Sequence, residues 1–368
     1  MKNFFDKTKI LNMNMKNRFF RSAVWENLAD DKGHLTEKLK LVYENLSKGG
    51  VGTIITGYAF VRENEQPNPG MMGIYDDSFI EEYKELTDIV HTNKSNIIMQ
   101  IVYGGFMTSF NVEKRTIWGP STMKCETTGA MAKEMSKEEI KNLIIDFANA
   151  ALRAKKAGFD GVQIHAAHGY LLSQFLSPYY NKREDEYGGD IENRGRIIFE
   201  IYEVIRELVG KDFPIFIKLN SEDGIKEGGL TREDSIYVAK KLADLGIDAI
   251  EVSGGNGAIK EVRENGLGSG RNNIAKSKQN ESYFKEYATQ LAKQINIPVI
   301  LVGGNRHLDI MHDLLNNTDI QYFSLARPLI CEPDLINKWI LGDIKSPKCV
   351  SCGKCYKSSK ESCILNDR

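Results

Sequence analysis

The stretch whose reading decides the fold runs from Gly158 to Arg196, GFDGVQIHAAHGYLLSQFLSPYYNKREDEYGGDIENRGR. Its first part, GVQIHAA (161–167), is a short apolar run. Val162 and Ile164 share one face while Gln163 and His165 share the other, the period of two imposed on a strand with two different neighbours. The run ends in a turn carrying His168, Gly169 and Tyr170. Two imidazoles three residues apart with a phenol beside them point to a site. The alternative is a pair of structural histidines satisfied by their neighbours, which for a lone His would be the better reading. The next segment, NKREDEYGGDIENR (181–194), is too charged for a core. It holds Tyr187, the pair Gly188-Gly189 and an Asp190 placed to cap a helix, which describes an ordered loop.

Outward from this strand, similar apolar runs recur with helix-length segments between them: FFRSAV (19–24), TIITGYAF (53–60), IIMQIVY (97–103), PIFIKLN (214–220), AIEVSGG (249–255), PVILVGG (298–304) and YFSLARP (322–328). The intervening segments 136–157 and 231–245 each open with Ser or Thr and an acidic pair, then show apolar residues at helical spacing. Strand and helix repeated eight times predict an α/β fold, a (β/α)8 TIM barrel. A doubly wound sheet is the runner-up, but no G-x-G-x-x-G follows the first strand. The barrel expectation places functional residues at the carboxyl ends of the strands and in the loops beyond them. Two stretches are expected as loops on that face: 106–135, which lacks periodicity, and the polar, Gly-rich 256–278 beside the substrate.

The 368 residues suit one large α/β barrel or two ordinary domains; the repeat places one barrel at 1–345, with a Cys-rich tail at 346–368. With 49 basic and 50 acidic residues, the net charge of -1 gives no reason to expect a nucleic-acid or membrane partner. The amino terminus, MKNFFDKTKILNMNMKN, contains no uninterrupted apolar run, so neither a signal peptide nor a membrane span is expected, and a cytoplasmic location is the default. A small-molecule substrate is expected, and a homo-oligomer stays open.

The run HAAHGYLLSQFLSP (165–178) followed by N-x-R-x-D-x-Y-G-G-x-x-x-N-R (181–194) resembles the Old Yellow Enzyme family of FMN-dependent NADH:flavin oxidoreductases. The resemblance implies that His165 and His168 bind the carbonyl oxygen of a substrate and that Tyr170 supplies a proton. It also implies that Ser22, Ala23, Val24 and Trp25 lie against the flavin. Here Ala23 stands where the family usually has Pro, and Trp25 where it has a Thr or Cys that tunes the flavin; a Trp that simply packs is the alternative. Tyr58 falls at the flavin edge, where a small residue is common. Gln100, an amide in a run of Ile and Met, can donate and accept at once and so match the flavin's pyrimidine edge. Lys218 shares parity with Phe216 inside an apolar strand and is costly there unless it meets an anion. The resemblance assigns it to the flavin, and a protein carboxylate is the alternative. Gly303 and Gly304 after the seventh strand, with Ala326 and Arg327 after the eighth, fit the place where barrels bind phosphate.

Of six Cys, Cys349, Cys352, Cys355 and Cys363 crowd the last twenty residues as C-x2-C-x2-C-x7-C, while Cys125 and Cys331 stand alone. Larger relatives carry a [4Fe-4S] centre near this place, fed by a second, pyridine-nucleotide domain that is not expected here. A cluster, a zinc site and a residual tail all remain open. The expected reaction is NAD(P)H-dependent reduction, through FMN, of the C=C bond of an α,β-unsaturated carbonyl compound. A dehydrogenase or dienoyl-type reductase of the same family using an Fe-S cluster, a metal hydrolase using His165 and His168 as ligands, and a flavin-carrying interaction module are the alternatives.

Overall fold

The computed structural model describes residues 1–356 and 363–366. Eight strands, β1 (Phe19–Arg21), β2 (Thr53–Ile55), β3 (Asn96–Val102), β4 (Gly161–Ala166), β5 (Ile215–Asn220), β6 (Ala249–Ser253), β7 (Val299–Leu301) and β8 (Tyr322–Leu325), pair in parallel in chain order. β8 pairs with β1, so the sheet closes on itself as a (β/α)8 barrel.

The helices of the outer ring are α1 (Glu37–Lys48), α2 (Phe79–Thr92), α3 (Lys137–Lys156), α4 (Ile191–Val209), α5 (Arg232–Leu245), α6 (Lys285–Ala292), α7 (Leu308–Asn317) and α8 (Leu335–Ile340). Their starts follow the side chains that can cap them. Ser136 accepts from the Glu139 N–H, Asp190 from the Asn193 N–H and Thr231 from the Asp234 N–H, each meeting one otherwise unpaired donor. None of the described helices is long and apolar enough to cross a membrane.

Parallel pairing sets which side chains share the barrel interior. Gln100 pairs with Gln163, and His165 pairs with Lys218, which pairs with Glu251. On β5 the inward face passes from Phe216 to Lys218, from an apolar floor to a polar layer. The floor is Phe20, Ile55, Ile98, Phe216, Ile300 and Tyr322, and Ile10, Met13 and Met15 pack against it from an amino-terminal hairpin. That hairpin plugs the closed end of the barrel, so the open end is at the carboxyl ends of the strands. Truncating Phe216 to Ala would cost roughly 3–5 kcal/mol, because the packed floor could not collapse around the void.

Two expectations are corrected. Residues 106–135 are not one structureless loop: Ile117–Gly119, Met123–Lys124 and Met131–Glu134 form a three-stranded sheet. Strands of two to four residues are too short for alternation to show in sequence. Within 256–278 lies a short helix, Lys260–Glu264. Several barrel strands are also shorter than their apolar runs. β2 stops at Ile55, and β8 stops at Leu325, where Ala326 turns the chain into the short helix Arg327–Cys331 with Pro328 in its first turn.

Candidate active site

A cavity of about 1200 Å³ opens at the carboxyl ends of the strands. It exceeds the roughly 300–1,000 Å³ of most small-molecule sites, so it has room for a cofactor and a second ligand. Every residue singled out from the sequence for the barrel site lines it: Ser22, Ala23, Val24 and Trp25 after β1, Tyr58 after β2, Gln100 on β3, His165, His168 and Tyr170 at the end of β4, Lys218 on β5, Gly303 and Gly304 after β7, Ala326 and Arg327 after β8.

At the β4 end the rings of His165 and His168 lie 5.2 Å apart with their planes at 87°. The Tyr170 ring is 4.9 Å from that of His165. His168 holds a left-handed backbone, φ +65°, kept there by neighbours: its N–H donates to Asn220 Oδ1 and its carbonyl accepts from the Gly257 N–H. Such a conformation costs about 1–3 kcal/mol for a non-glycine residue and is found where a side chain has to be aimed. Its Nε2 sits 2.7 Å from Ser253 Oγ, while His165 Nδ1 accepts from the Ala167 N–H at 3.3 Å. Burial pushes the His165 pKa well below its usual value, reinforced by His168 and Lys218. Burial and then Lys218 push His168 down to about 3. Both rings are therefore neutral at ordinary pH and each carries one hydrogen. In His165 the accepting Nδ1 leaves that hydrogen on Nε2. Either member of the His168 Nε2–Ser253 Oγ pair can be the donor, and when the hydroxyl donates the ring hydrogen sits on Nδ1.

Beneath the histidines a chain of buried polar groups crosses the barrel. Ser22 Oγ donates to Glu251 Oε1 at 2.7 Å, Gln163 Nε2 donates to Glu251 Oε2 at 2.8 Å, and Gln100 Nε2 donates to Gln163 Oε1 at 2.7 Å. Lys218 Nζ donates to Ser22 Oγ at 3.0 Å and lies 3.2 Å from Glu251 Oε2. The charge that sequence reading left to a flavin is thus already met by a protein carboxylate, because β5 and β6 pair Lys218 directly with Glu251. Trp25 lines the cavity and also donates from Nε1 to Pro69 O at 2.9 Å, in an aromatic wall with Tyr58, Phe60 and Tyr170.

The opposite end is differently built. Gly303 and Gly304 have φ of +106° and +78°, and a Cβ on Gly303 would come within 2.6 Å of the Phe284 ring. Around them Arg327 Nη1, Arg306 Nε, Arg271 Nε and Ser324 Oγ are buried without a hydrogen-bond partner among the described residues, the nearest carboxylate oxygen to Arg306 Nε being Glu281 Oε1 at 3.7 Å. Arg327 Nη2 donates to Arg271 O, and the Arg271 guanidinium lies 4.4 Å from the Tyr283 ring centroid. Buried donors left unpaired are costly unless an anion completes them. A phosphate fits. Gln100 Oε1, also unpaired, is an acceptor for a ring N–H at the other edge of the cavity. The donor set therefore fits FMN: unpaired donors that suit a phosphate at the Gly303 end, and an unpaired acceptor that suits a ring N–H at Gln100.

The tail cysteines, left open between a cluster, a zinc site and a residual tail, are unequally placed. Cys349 and Cys363 are buried against Cys331, Cys355 is half-buried and Cys352 is exposed. Burial and the neighbouring Cys363 push the Cys331 thiol up to about 12. Among the described residues no group of three or more His, Cys, Asp or Glu side chains is placed to hold a metal ion, which leaves the set Cys349, Cys352, Cys355 and Cys363 unfitted to a cluster or zinc in this arrangement. The same holds for metal ligation by His165 and His168. The tail is tied down through backbone instead: Arg306 donates to the carbonyls of Pro347 and Cys349, and Asn366 Nδ2 to Cys331 O.

Sequence reasoning missed Ser253, Glu251, Arg306, Arg271 and Ser324. Glu251 carried a signal, an acid at inward parity within AIEVS. Arg306 stood two residues beyond the glycine pair, whereas Arg271 lay in a loop with no pattern to read.

Comparison with known proteins shows the family. Residues 3–342 match the family model of the NADH:flavin oxidoreductase / NADH oxidase family. The chain is 32% identical to an NADH oxidase of Thermoanaerobacter brockii over 99% of its own length, and 31% identical to an NADPH dehydrogenase of Clostridium acetobutylicum over 89%. It superposes on a 2-naphthoyl-CoA reductase complex with a TM-score of 0.87 at 26% identity over 98% of its length. It spans 92% of the Clostridium protein but only 56% of the Thermoanaerobacter protein and 56% of the naphthoyl-CoA reductase chain. With strong family motifs on β4 and a match running through the whole barrel, the chain belongs to the NADH:flavin oxidoreductase / NADH oxidase family, the Old Yellow Enzyme family of FMN-dependent oxidoreductases.

Proposed function

We propose that this protein reduces the activated C=C bond of α,β-unsaturated carbonyl compounds with electrons from NAD(P)H. The observation that carries the reading is the pair of neutral, perpendicular imidazoles beside a phenol, facing the same cavity as a cluster of unpaired cationic donors. FMN, when bound, supplies reversible hydride transfer between a nicotinamide and an electron-poor carbon.

The chain's own residues would do the rest. Arg327, Arg306 and Ser324, with the backbone around Gly303, would hold the phosphate, and Gln100 the pyrimidine edge. His165 Nε2–H and His168 Nδ1–H would donate to the substrate carbonyl oxygen and so draw negative charge away from the β-carbon. Preorganised donors of this kind are each worth roughly 3–4 kcal/mol of transition-state stabilisation. Neutral rings suit that role, since an imidazolium pair would repel Lys218 and be costly to bury. Tyr170 would deliver a proton to the α-carbon. Trp25 and Tyr58 narrow the approach and favour flat substrates.

Replacing both His165 and His168 with Ala tests the reading. The charge-transfer absorption that a phenol induces in the flavin should disappear while the flavin stays bound. An unchanged band would remove the two histidines from the ligand site.

A further inference from the structure

The phenol at Tyr170 does not stand alone. Its hydroxyl donates to the Tyr58 oxygen at 2.9 Å, with the two rings 5.3 Å apart. Asn68 Nδ2 donates to the same oxygen at 3.2 Å, and Ser109 Oγ donates to Asn68 Oδ1 at 2.8 Å, which fixes the orientation of the amide. Burial falls steadily along this line. Tyr170 is buried, Tyr58 and Asn68 are half-buried, and Ser109 is exposed. The path of the chain is locked as well: the Gly57 N–H donates to the Tyr43 hydroxyl at 2.9 Å, and a Cβ on Gly57 would lie 2.7 Å from Val24 O. A residue that merely filled the edge of the cavity would need neither the paired hydroxyl nor the amide behind it.

We propose that Tyr58 is a positioning and proton-delivery residue acting through Tyr170, a role that rests on Tyr170 being the proton donor. Asn68 engages one lone pair of the Tyr58 oxygen, so reversing the Tyr170–Tyr58 hydrogen bond takes only the rotation of two hydroxyls. As the Tyr170 O–H bond breaks and its proton forms a C–H bond at the substrate α-carbon, the Tyr58 O–H bond breaks and its proton restores Tyr170. Water at the Asn68 and Ser109 side then reprotonates Tyr58. One solvent proton is consumed per turnover, and neither tyrosine changes oxidation state. Transfer along a preformed chain avoids leaving a phenolate in a buried site, where it would be poorly solvated.

The test uses the FMN-loaded enzyme, reduced without oxygen and mixed rapidly with cyclohexenone in light and heavy water across the neutral and alkaline range. It compares the wild type, Tyr58→Phe, Tyr170→Phe and the double variant. Phe keeps the ring packing and removes only the oxygen. In Tyr58→Phe, reoxidation by cyclohexenone should slow about tenfold more than flavin reduction by NAD(P)H, with a changed pH profile and a larger solvent isotope effect. The affinity for a para-substituted phenol should stay within about twofold, and the double variant should be no slower than Tyr170→Phe alone. If Tyr170→Phe slows reoxidation while Tyr58→Phe keeps the wild-type rate and pH profile, the relay is wrong and the Tyr170 assignment stands. Equal slowing of both half-reactions, loss of phenol affinity matching the loss of rate, or additive losses in the double variant would also overturn the relay. If Tyr170→Phe reoxidises normally, the donor assignment fails and the relay with it.

Discussion

The two ends of the cavity solve opposite problems. At the β7 and β8 end, Arg327, Arg306, Arg271 and Ser324 each keep a buried donor without a partner among the described residues. At the β4 end the polar groups have protein partners: His168 meets Ser253, His165 meets the Ala167 N–H, and Tyr170 meets Tyr58. An array of unpaired donors is stable only when something stays bound to it, which is what a resident cofactor needs. Groups that are already oriented and neutral can meet one substrate after another, each time without reorganising. On the proposed function one end holds the cofactor and the other turns over substrate, and substitutions at the two ends should separate accordingly.

The largest effect is expected from Arg327→Ala. Truncating one member of a buried, charge-assisted contact costs roughly 2–5 kcal/mol, so FMN affinity should fall by about two orders of magnitude, measured by fluorescence titration of the apoprotein. Tyr170→Phe should leave that affinity unchanged, and comparable FMN loss in both variants would erase the distinction.

Of similar size, Tyr170→Phe should slow reoxidation by an enone about a hundredfold while flavin reduction by NAD(P)H stays within about threefold, read by stopped-flow absorbance. Equal loss in the two half-reactions would place Tyr170 at the holding end.

Ser253→Ala removes the hydroxyl that meets His168 Nε2 and should weaken phenol binding by about tenfold, the value of one hydrogen bond to a buried group. Because burial holds both imidazoles neutral, that binding should show no step where an ordinary histidine titrates. A step there would mean that water and protons reach the rings.

The smallest effect lies behind the turnover end. Glu65 is buried with its carboxylate accepting from the Gly104 N–H, and burial pushes its pKa up to about 8 from 4.5. The folded state therefore holds this proton more tightly than the unfolded chain. That contribution to stability is complete below the unfolded value and is lost as pH rises through about 8. Glu65→Gln should melt increasingly above the wild type from acid to alkaline pH, and a constant difference in Tm would show that Glu65 does not titrate in the fold.

The β4 end was legible in the sequence because its parts lie within six residues, His165 to Tyr170, and local alternation places them on one strand and its turn. Its supports were not. Ser253 meets His168 across 85 positions, and the pairing of Lys218 with Glu251 depends on the register of two strands that parity alone does not fix. At the holding end, the glycine pair and Arg327 could be read because turn chemistry is local. Arg306, in the loop after β7, and Ser324, on β8 itself, became part of it only when those two elements came together. The tail shows the same limit: regular spacing grouped four cysteines, but in space Cys331, distant in sequence, takes a place beside Cys349 and Cys363.

The central claim is tested most directly by the visible spectrum of the purified protein, recorded anaerobically before NADH or NADPH, after it, and again after an enone. The account predicts a yellow protein carrying one FMN per chain, bleached by the nicotinamide and restored by the enone. A protein that stays colourless after incubation with FMN, or whose bound flavin the enone leaves bleached, would contradict it.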